Sequence, residues 1–200
     1  MTSLTLPRPS AELVDRVRAR LVRELGDSRV LADSASLEAH AGDESDQEAV
    51  LPDVVVRAES AADVATALRV AFDLEVPITP RGGGSGKSGG AVPVAGGIVL
   101  ATIGMDRIVD IDRAEHVVIV EPGVVLGDLH RAVEAEGLFY PPDANSLSWC
   151  AIGGDVAENA AGPRALKYGA TRDWLLGLDV ALVGGAQTFV GRRTKNFRVR

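Results

Sequence analysis

The segment Arg81-Gly-Gly-Gly-Ser-Gly-Lys-Ser-Gly-Gly90 constrains the fold more than any other part of the chain. It lies between two short apolar runs, Val76 to Thr79 and Ile98 to Ala101, both of which read as strands. A flexible linker is also rich in glycine, but linkers rarely sit between two apolar strands. Successive glycines let several backbone N–H groups converge without interference from Cβ atoms, forming a nest for anionic oxygens. The hydroxyls of Ser85 and Ser88 add further donors.

Two familiar phosphate-binding patterns fail here. Gly86-Lys87-Ser88 matches the end of a P-loop, but that pattern needs glycine at position 81, which is Arg. Gly84-x-Gly86-x-x-Gly89 matches the dinucleotide fingerprint, which must open a helix whose N-terminus holds the pyrophosphate. Pro93 and Gly96-Gly97 forbid a helix at that place. The loop therefore has to bind its phosphates through backbone amides, running from strand to loop to strand.

Around this loop the chain reads as an α+β protein. Ser10 caps a helix with apolar residues at Leu13, Val14, Val17, Leu21 and Leu25, and Gly26 ends it. Residues 27 to 50 read as acidic and irregular. Val54 to Val56 forms a buried strand, and Ser60-Ala-Ala-Asp63 is a capping box. Val64, Leu68, Ala71 and Phe72 are the expected core stripe of the helix that follows, completing a β-α-β unit from 54 to 79. Further strands are expected at Arg107 to Ile111, Val117 to Val120 and Leu178 to Val183. The pattern also predicts a helix from Leu126 to Glu136, closed by Gly137. Pro141 to Gly162 reads as a second loop-rich region, and Gly184-Gly185 as a turn. These elements divide into a lead-in (1–49), a first lobe (50–112), a second lobe (113–191) and a basic tail (192–200).

The net charge of −7, with no basic run before the last nine residues, excludes a nucleic-acid partner. No stretch approaches the length of a membrane span. The single cysteine, Cys150, cannot form an intrachain disulfide, and Met1-Thr-Ser-Leu-Thr-Leu lacks the apolar core of a signal peptide. Both features predict a cytoplasmic protein.

The second loop region contains Pro141-Pro-Asp-Ala-Asn-Ser146 and Cys150-Ala-Ile-Gly-Gly-Asp-Val-Ala-Glu-Asn-Ala-Ala-Gly162, dominated by small residues that let backbone lie against a flat ligand. Lys167-Tyr-Gly-Ala-Thr-Arg-Asp173 and Gly177-Leu-Asp-Val-Ala-Leu182 follow. In this order, the blocks resemble the PCMH-type FAD-binding domain of the vanillyl-alcohol oxidase / p-cresol methylhydroxylase superfamily. The likeness, over about residues 30 to 194, is greatest to its FAD-linked oxidases of the glycolate oxidase and D-lactate dehydrogenase group.

The resemblance implies a two-lobed domain with FAD in the cleft between the lobes. It assigns the pyrophosphate to the first loop, here Arg81, Gly82, Gly83, Gly84, Ser85, Gly86, Lys87 and Ser88. It assigns the ribityl chain and flavin ring to Pro142, Asp143, Ser146, Gly153, Gly154, Asn159, Ala160 and Gly162. Tyr168 falls in the block expected near the isoalloxazine, and Val180 on the strand expected to meet the far end of FAD. Asn159-Ala-Ala-Gly162 stands where relatives often have Asn-Ala-Gly-Gly, so Ala161 is tolerable only if its φ is negative. The family's cap and C-terminal segment have no counterpart before residue 200.

The implied activity is oxidation of a small 2-hydroxy acid (glycolate, D-lactate or D-2-hydroxyglutarate) by hydride transfer to flavin N5, with electrons passing to an acceptor subunit or protein. The alternatives are a flavin-binding module of a truncated or split enzyme, and a reductase of the UDP-N-acetylenolpyruvoylglucosamine type. Cys150 is expected to be a small buried thiol rather than a covalent flavin anchor. His40, His116 and His130 read as structural or solvated, with His130 on an exposed helix face. Asp143, next to Pro142, reads as loop-shaping or as a hydrogen-bond partner of the cofactor rather than as a general base. No catalytic residue and no metal ligand set emerges.

Overall fold

A computed structural model describes residues 7 to 192; the basic tail beyond Arg192 lies outside the described residues. Helix α1 (Ala11–Leu25) starts where Ser10 Oγ accepts from the Leu13 N–H and ends at Gly26, whose φ of 91° few other residues adopt. The next stretch is more ordered than its composition suggests. A single turn of 3-10 helix leads into strand β1 (Val30–Leu31) and helix α2 (Ser34–Ala39), which Asp33 caps. Both elements are too short for a periodic signal, and α2 has one large apolar residue, Leu37.

Strand β2 (Val54–Arg57), helix α3 (Ala61–Asp73), strand β3 (Ile78–Arg81) and strand β4 (Ile98–Ala101) complete the first sheet. Its order is β1-β2-β4-β3, with β1 antiparallel to β2 and the other three mutually parallel. The β-α-β unit is present, but β4 separates its two strands. Consecutive residues of β2 and β4 point to opposite faces, and both faces are covered. Val54, Val56, Ile98 and Leu100 pack with Val17, Leu21 and Leu25 of α1 and with Ala67 and Val70 of α3. Val55, Val99 and Ala101 face Leu31 and Leu37, so the unforeseen α2 seals the second face.

The predicted stripe of α3 needs one correction. Phe72 is 60% exposed, while Ala67 and Val70 lie in the core beside Ala71. Small residues face inward here because α1 crosses closely over α3. At the N-terminal cap Ser60 Oγ accepts from the Asp63 N–H, while Asp63 Oδ2 reaches one residue beyond the capping box, to the Glu59 N–H. Ser60→Ala should cost about 1 kcal/mol in urea unfolding. No measurable loss would mean that the cap is dispensable.

Strands β5 (Ile108–Asp112) and β6 (Val117–Val120) form an antiparallel hairpin, so the regions on either side of residue 112 share it. Helix α4 (Leu126–Ala135) buries Leu126, Leu129 and Val133 against Val124, Cys150 and Ile152, and Ile108, Val118 and Val120 of the hairpin pack on this second core. Residues 152–157, read as loop, form helix α5 (Ile152–Ala157); two glycines in six residues hide it from propensity. Helix α6 (Ala165–Tyr168) follows, and strands β7 (Gly177–Ala181) and β8 (Gln187–Gly191) form a second hairpin. Gly184 and Gly185, with φ of 82° and 86°, make its turn. The turn lies against the α3 backbone, and Gln187 Nε2 donates to the Ala61 carbonyl. β8 has no sequence signature because all its residues are exposed and no alternation marks it.

Candidate functional site

The glycine loop leaves the end of β3 and returns to the start of β4. No described hydrogen bond is donated by a backbone N–H of residues 82 to 90. Peptide donors left free in one tight loop suit an anion with several oxygens. Gly84 is buried with φ of 73°, and a Cβ there would run into the Arg81 guanidinium. Lys87 and Ser88 stand exposed on the loop. The Arg81 guanidinium lies against Gly84 and is held from the other side: Nη1 donates to the Gly42 carbonyl at 2.5 Å and Nη2 to that of Ala39 at 3.4 Å.

The second loop lies directly against the first. A Cβ on Gly83 would stand 2.1 Å from the Trp149 carbonyl oxygen, and one on Gly82 would touch Ala151 and Gly154. Ser88 Oγ donates to Glu158 Oε2 at 2.6 Å, joining the first loop to the end of α5. Gly153 packs on Pro122, in the turn after β6.

Hydrogen bonds fix the shape of the second loop. His130 Nε2 lies 2.8 Å from the Pro142 carbonyl oxygen, which can only accept, so that nitrogen carries the proton. His130 is buried rather than on an exposed face, on the same side of α4 as Leu126, Leu129 and Val133. Asp143 Oδ1 accepts from the Arg164 N–H, and its Oδ2 pairs with Arg164 Nε at 3.2 Å. A Cβ on Gly162 would stand 1.9 Å from the Asp143 carbonyl oxygen, so glycine is obligatory there. Asn159 has φ of 52°, and its Oδ1 accepts from the Arg172 N–H. Ala161 does not share that conformation, which explains how the chain accommodates its methyl. The Ala160 carbonyl accepts both the N–H and the hydroxyl of Thr171.

Beneath this loop lies a cluster that sequence reasoning passes over. Asp155 is 5% exposed, and its Oδ2 has no hydrogen-bond partner. Burial pushes its pKa up to about 6, against a hydrogen bond with Cys150 that acts in the other direction. Burial, then the Asp155 charge, raises the Cys150 thiol to about 11, so it is not a thiolate near neutral pH. The same two causes raise Tyr140 to about 12. An acidic residue among glycines reads as a surface position in the sequence.

The remaining predicted residues border these loops. Tyr168 meets Phe139 edge to face at 5.7 Å, with Lys167 Nζ 4.7 Å from its ring centroid. Val180 lines a cavity of about 380 Å³ with Leu68, Ile78, Pro80, Leu100 and Gly153, where α3, the first sheet, the second loop and β7 meet. Ser146 supplies its carbonyl to the N–H groups of Trp149 and Cys150. Among the described residues no group of three or more His, Cys, Asp or Glu side chains is placed to hold a metal ion, and no helix is long and apolar enough to cross a membrane.

Known proteins match this arrangement. The chain is 38% identical over 169 residues to glycolate oxidase subunit GlcD of Bacillus subtilis, covering 84% of this chain and 36% of that protein. It is 40% identical over 134 residues to a D-lactate dehydrogenase of Anaerostipes hadrus, covering 67% and 28%. The structure of p-cresol methylhydroxylase with substrate bound superposes with a TM-score of 0.79 at 22% identity, covering 93% of this chain and 37% of that one. The chain thus spans about a third of the length of these relatives. Residues 52–190 match the model of the FAD binding domain family. Free peptide donors in a glycine cradle, small residues along the facing loop and the sheet order that joins them agree with that match, and the chain belongs to the FAD binding domain family.

Proposed function

We propose that this chain is the flavin-binding part of an FAD-linked oxidase or dehydrogenase acting on a small 2-hydroxy acid of the glycolate, D-lactate or D-2-hydroxyglutarate class. The observation that carries the reading is the set of unused peptide donors at residues 82 to 90, facing a second loop of small residues. The named activities of the two relatives support the substrate class.

In this reading the pyrophosphate rests on residues 82 to 88, and Arg81 contributes indirectly, because its guanidinium is held by the Gly42 and Ala39 carbonyls. The ribityl chain and ring follow Pro142, Asp143, Ser146, Gly153, Gly154, Asn159, Ala160 and Gly162. Tyr168 borders the ring, and the cavity at Val180 takes the far end of the cofactor. The lobes on either side of residue 112 share the β5-β6 hairpin and close on the cofactor from both sides. Bound flavin supplies the hydride acceptor, while the protein binds, orients and shields it. Substrate residues and an electron-acceptor partner belong to the remainder of a longer protein or to a second polypeptide. A cytoplasmic location is part of the reading, supported by the single unpaired cysteine.

A narrower reading is a flavin module without turnover of its own. Purified chain is expected to carry or take up FAD, seen as flavin absorbance. Joined to its complementary region, it should lose that absorbance on anaerobic addition of one of the three acids. Failure to bind FAD would end the first reading and the second. FAD bound without bleaching by any acid would leave only the module.

A further inference from the structure

The stretch read as irregular lead-in does more than connect α2 to β2. Residues 41 and 50 close it into a small loop, with the Val50 N–H donating to the Ala41 carbonyl at 2.9 Å. One side of this loop lies along the outside of the glycine loop. The Glu44 N–H donates to the Gly86 carbonyl at 3.0 Å. Asp43 Oδ2 accepts from the Ala91 N–H at 3.3 Å, while its Oδ1 accepts the N–H and hydroxyl of Ser45. Gly89, at φ of 82°, sits against the side chains of Gln47 and Ser45. Arg81 completes the arrangement from the other end. Its guanidinium is clasped by the Gly42 and Ala39 carbonyls and lies beneath Gly84, so the loop folds over it.

We propose that residues 39 to 47 form a strap that sets the shape of the glycine loop, with Asp43 and Arg81 as the positioning residues through which it controls FAD affinity. The proposal rests on the reading that this loop cradles the pyrophosphate. A loop of many glycines has high conformational entropy, and ordering it on binding opposes affinity. The strap meets that cost before the cofactor arrives. It does so with carbonyls of the cradle, such as Gly86, and with flanking groups, and leaves the N–H donors of 82 to 90 free. Neither positioning side chain has to touch the cofactor.

Charge separates this proposal from simple electrostatics. Asp43 is an anion near a site for an anion, so field effects alone would make its neutralisation tighten FAD binding. Positioning predicts the reverse, because an Asn side chain offers one acceptor oxygen where Asp offers two. Fluorescence titrations of the purified chain with FAD and with riboflavin, which lacks phosphate, test this. Asp43→Asn and Arg81→Lys should each weaken FAD binding about tenfold and leave riboflavin affinity and the thermal midpoint of the apoprotein nearly unchanged. Glu48→Ala, which removes an exposed charge just beyond the strap, should not weaken FAD binding. Wild-type FAD affinity, or tighter, in both Asp43→Asn and Arg81→Lys would overturn the strap, as would equal losses for FAD and riboflavin. If one variant fails to fold, the other decides. If wild-type chain binds riboflavin as tightly as FAD, the pyrophosphate reading itself falls, and the strap with it.

Discussion

Gly83→Ala is expected to lower FAD affinity about a hundredfold, which corresponds to roughly 3 kcal/mol. The new Cβ would lie 2.1 Å from the Trp149 carbonyl oxygen and 3.2 Å from the Trp149 carbonyl carbon. Both are backbone atoms, so no rotamer change can relieve the overlap. Forcing an atom into a packed contact typically costs about 1–3 kcal/mol. Here the relief available is separation of the two loops that the cofactor must bridge. Gly82→Ala is the internal comparison. Its Cβ would meet Ala151 Cβ at 3.2 Å, a contact that a small shift relieves, so its effect should be several-fold at most. Titrations of both variants with FAD check the ordering. Equal affinities for Gly83→Ala and wild type would mean that the loops need not touch for FAD to bind.

Asp155→Asn should remove a pH dependence of stability worth about 3 kcal/mol. The ordinary carboxyl pKa is 3.8, and burial raises that of Asp155 to about 6. Below about pH 4 the folded and unfolded states both hold the proton, and the contribution to stability is complete. Between about 4 and 6 the unfolded chain ionises while the folded one resists, so stability falls as pH rises through the folded pKa. Above that, both states are ionised and the loss persists. Cys150 and Tyr140, the acids beside it, stay protonated across this window because their values are pushed up to about 11 and about 12. Urea unfolding from pH 4 to pH 7 should show a downward slope in wild type that the asparagine variant lacks. Parallel profiles would show that the carboxyl is not held neutral by its surroundings.

How much of this is legible in the sequence depends on the kind of signal. β4 and β6 can be placed to the residue because each is a compact apolar run with polar or glycine boundaries. The two glycine loops stand out because composition alone sets them apart. α2, α5 and β8 are hidden for separate reasons: one is short, one is interrupted by glycines, and one is exposed throughout. Phe72 and His130 show different failures. A helical period is accurate to about one position, so Phe72 falls on the rim of its stripe, whereas His130 sits at the i+4 position of the stripe of Leu126, Leu129 and Val133 and only its polarity argues for exposure. The strap and the Asp155 cluster lie beyond sequence reasoning altogether. The strap joins polar residues to partners distant in the chain, such as Asp43 to Ala91, and the cluster hides its one carboxylate among glycines, so no local pattern records either.

The sheet order gives the glycine loop a second duty. β3 and β4 are parallel neighbours, so the connection from 82 to 97 has to carry the chain back along a full strand length. Such returns take about a dozen residues or more and are usually helical. This one has no helix and little length to spare. The wiring of the sheet and the cradle for the ligand are the same piece of chain, and deletion cannot remove one without severing the other. Lengthening is different, since each doubling of a loop costs only about 0.6 kcal/mol. A site built this way can be elaborated by insertion but not trimmed, and its ability to bind an anion is tied to the order of the strands beneath it.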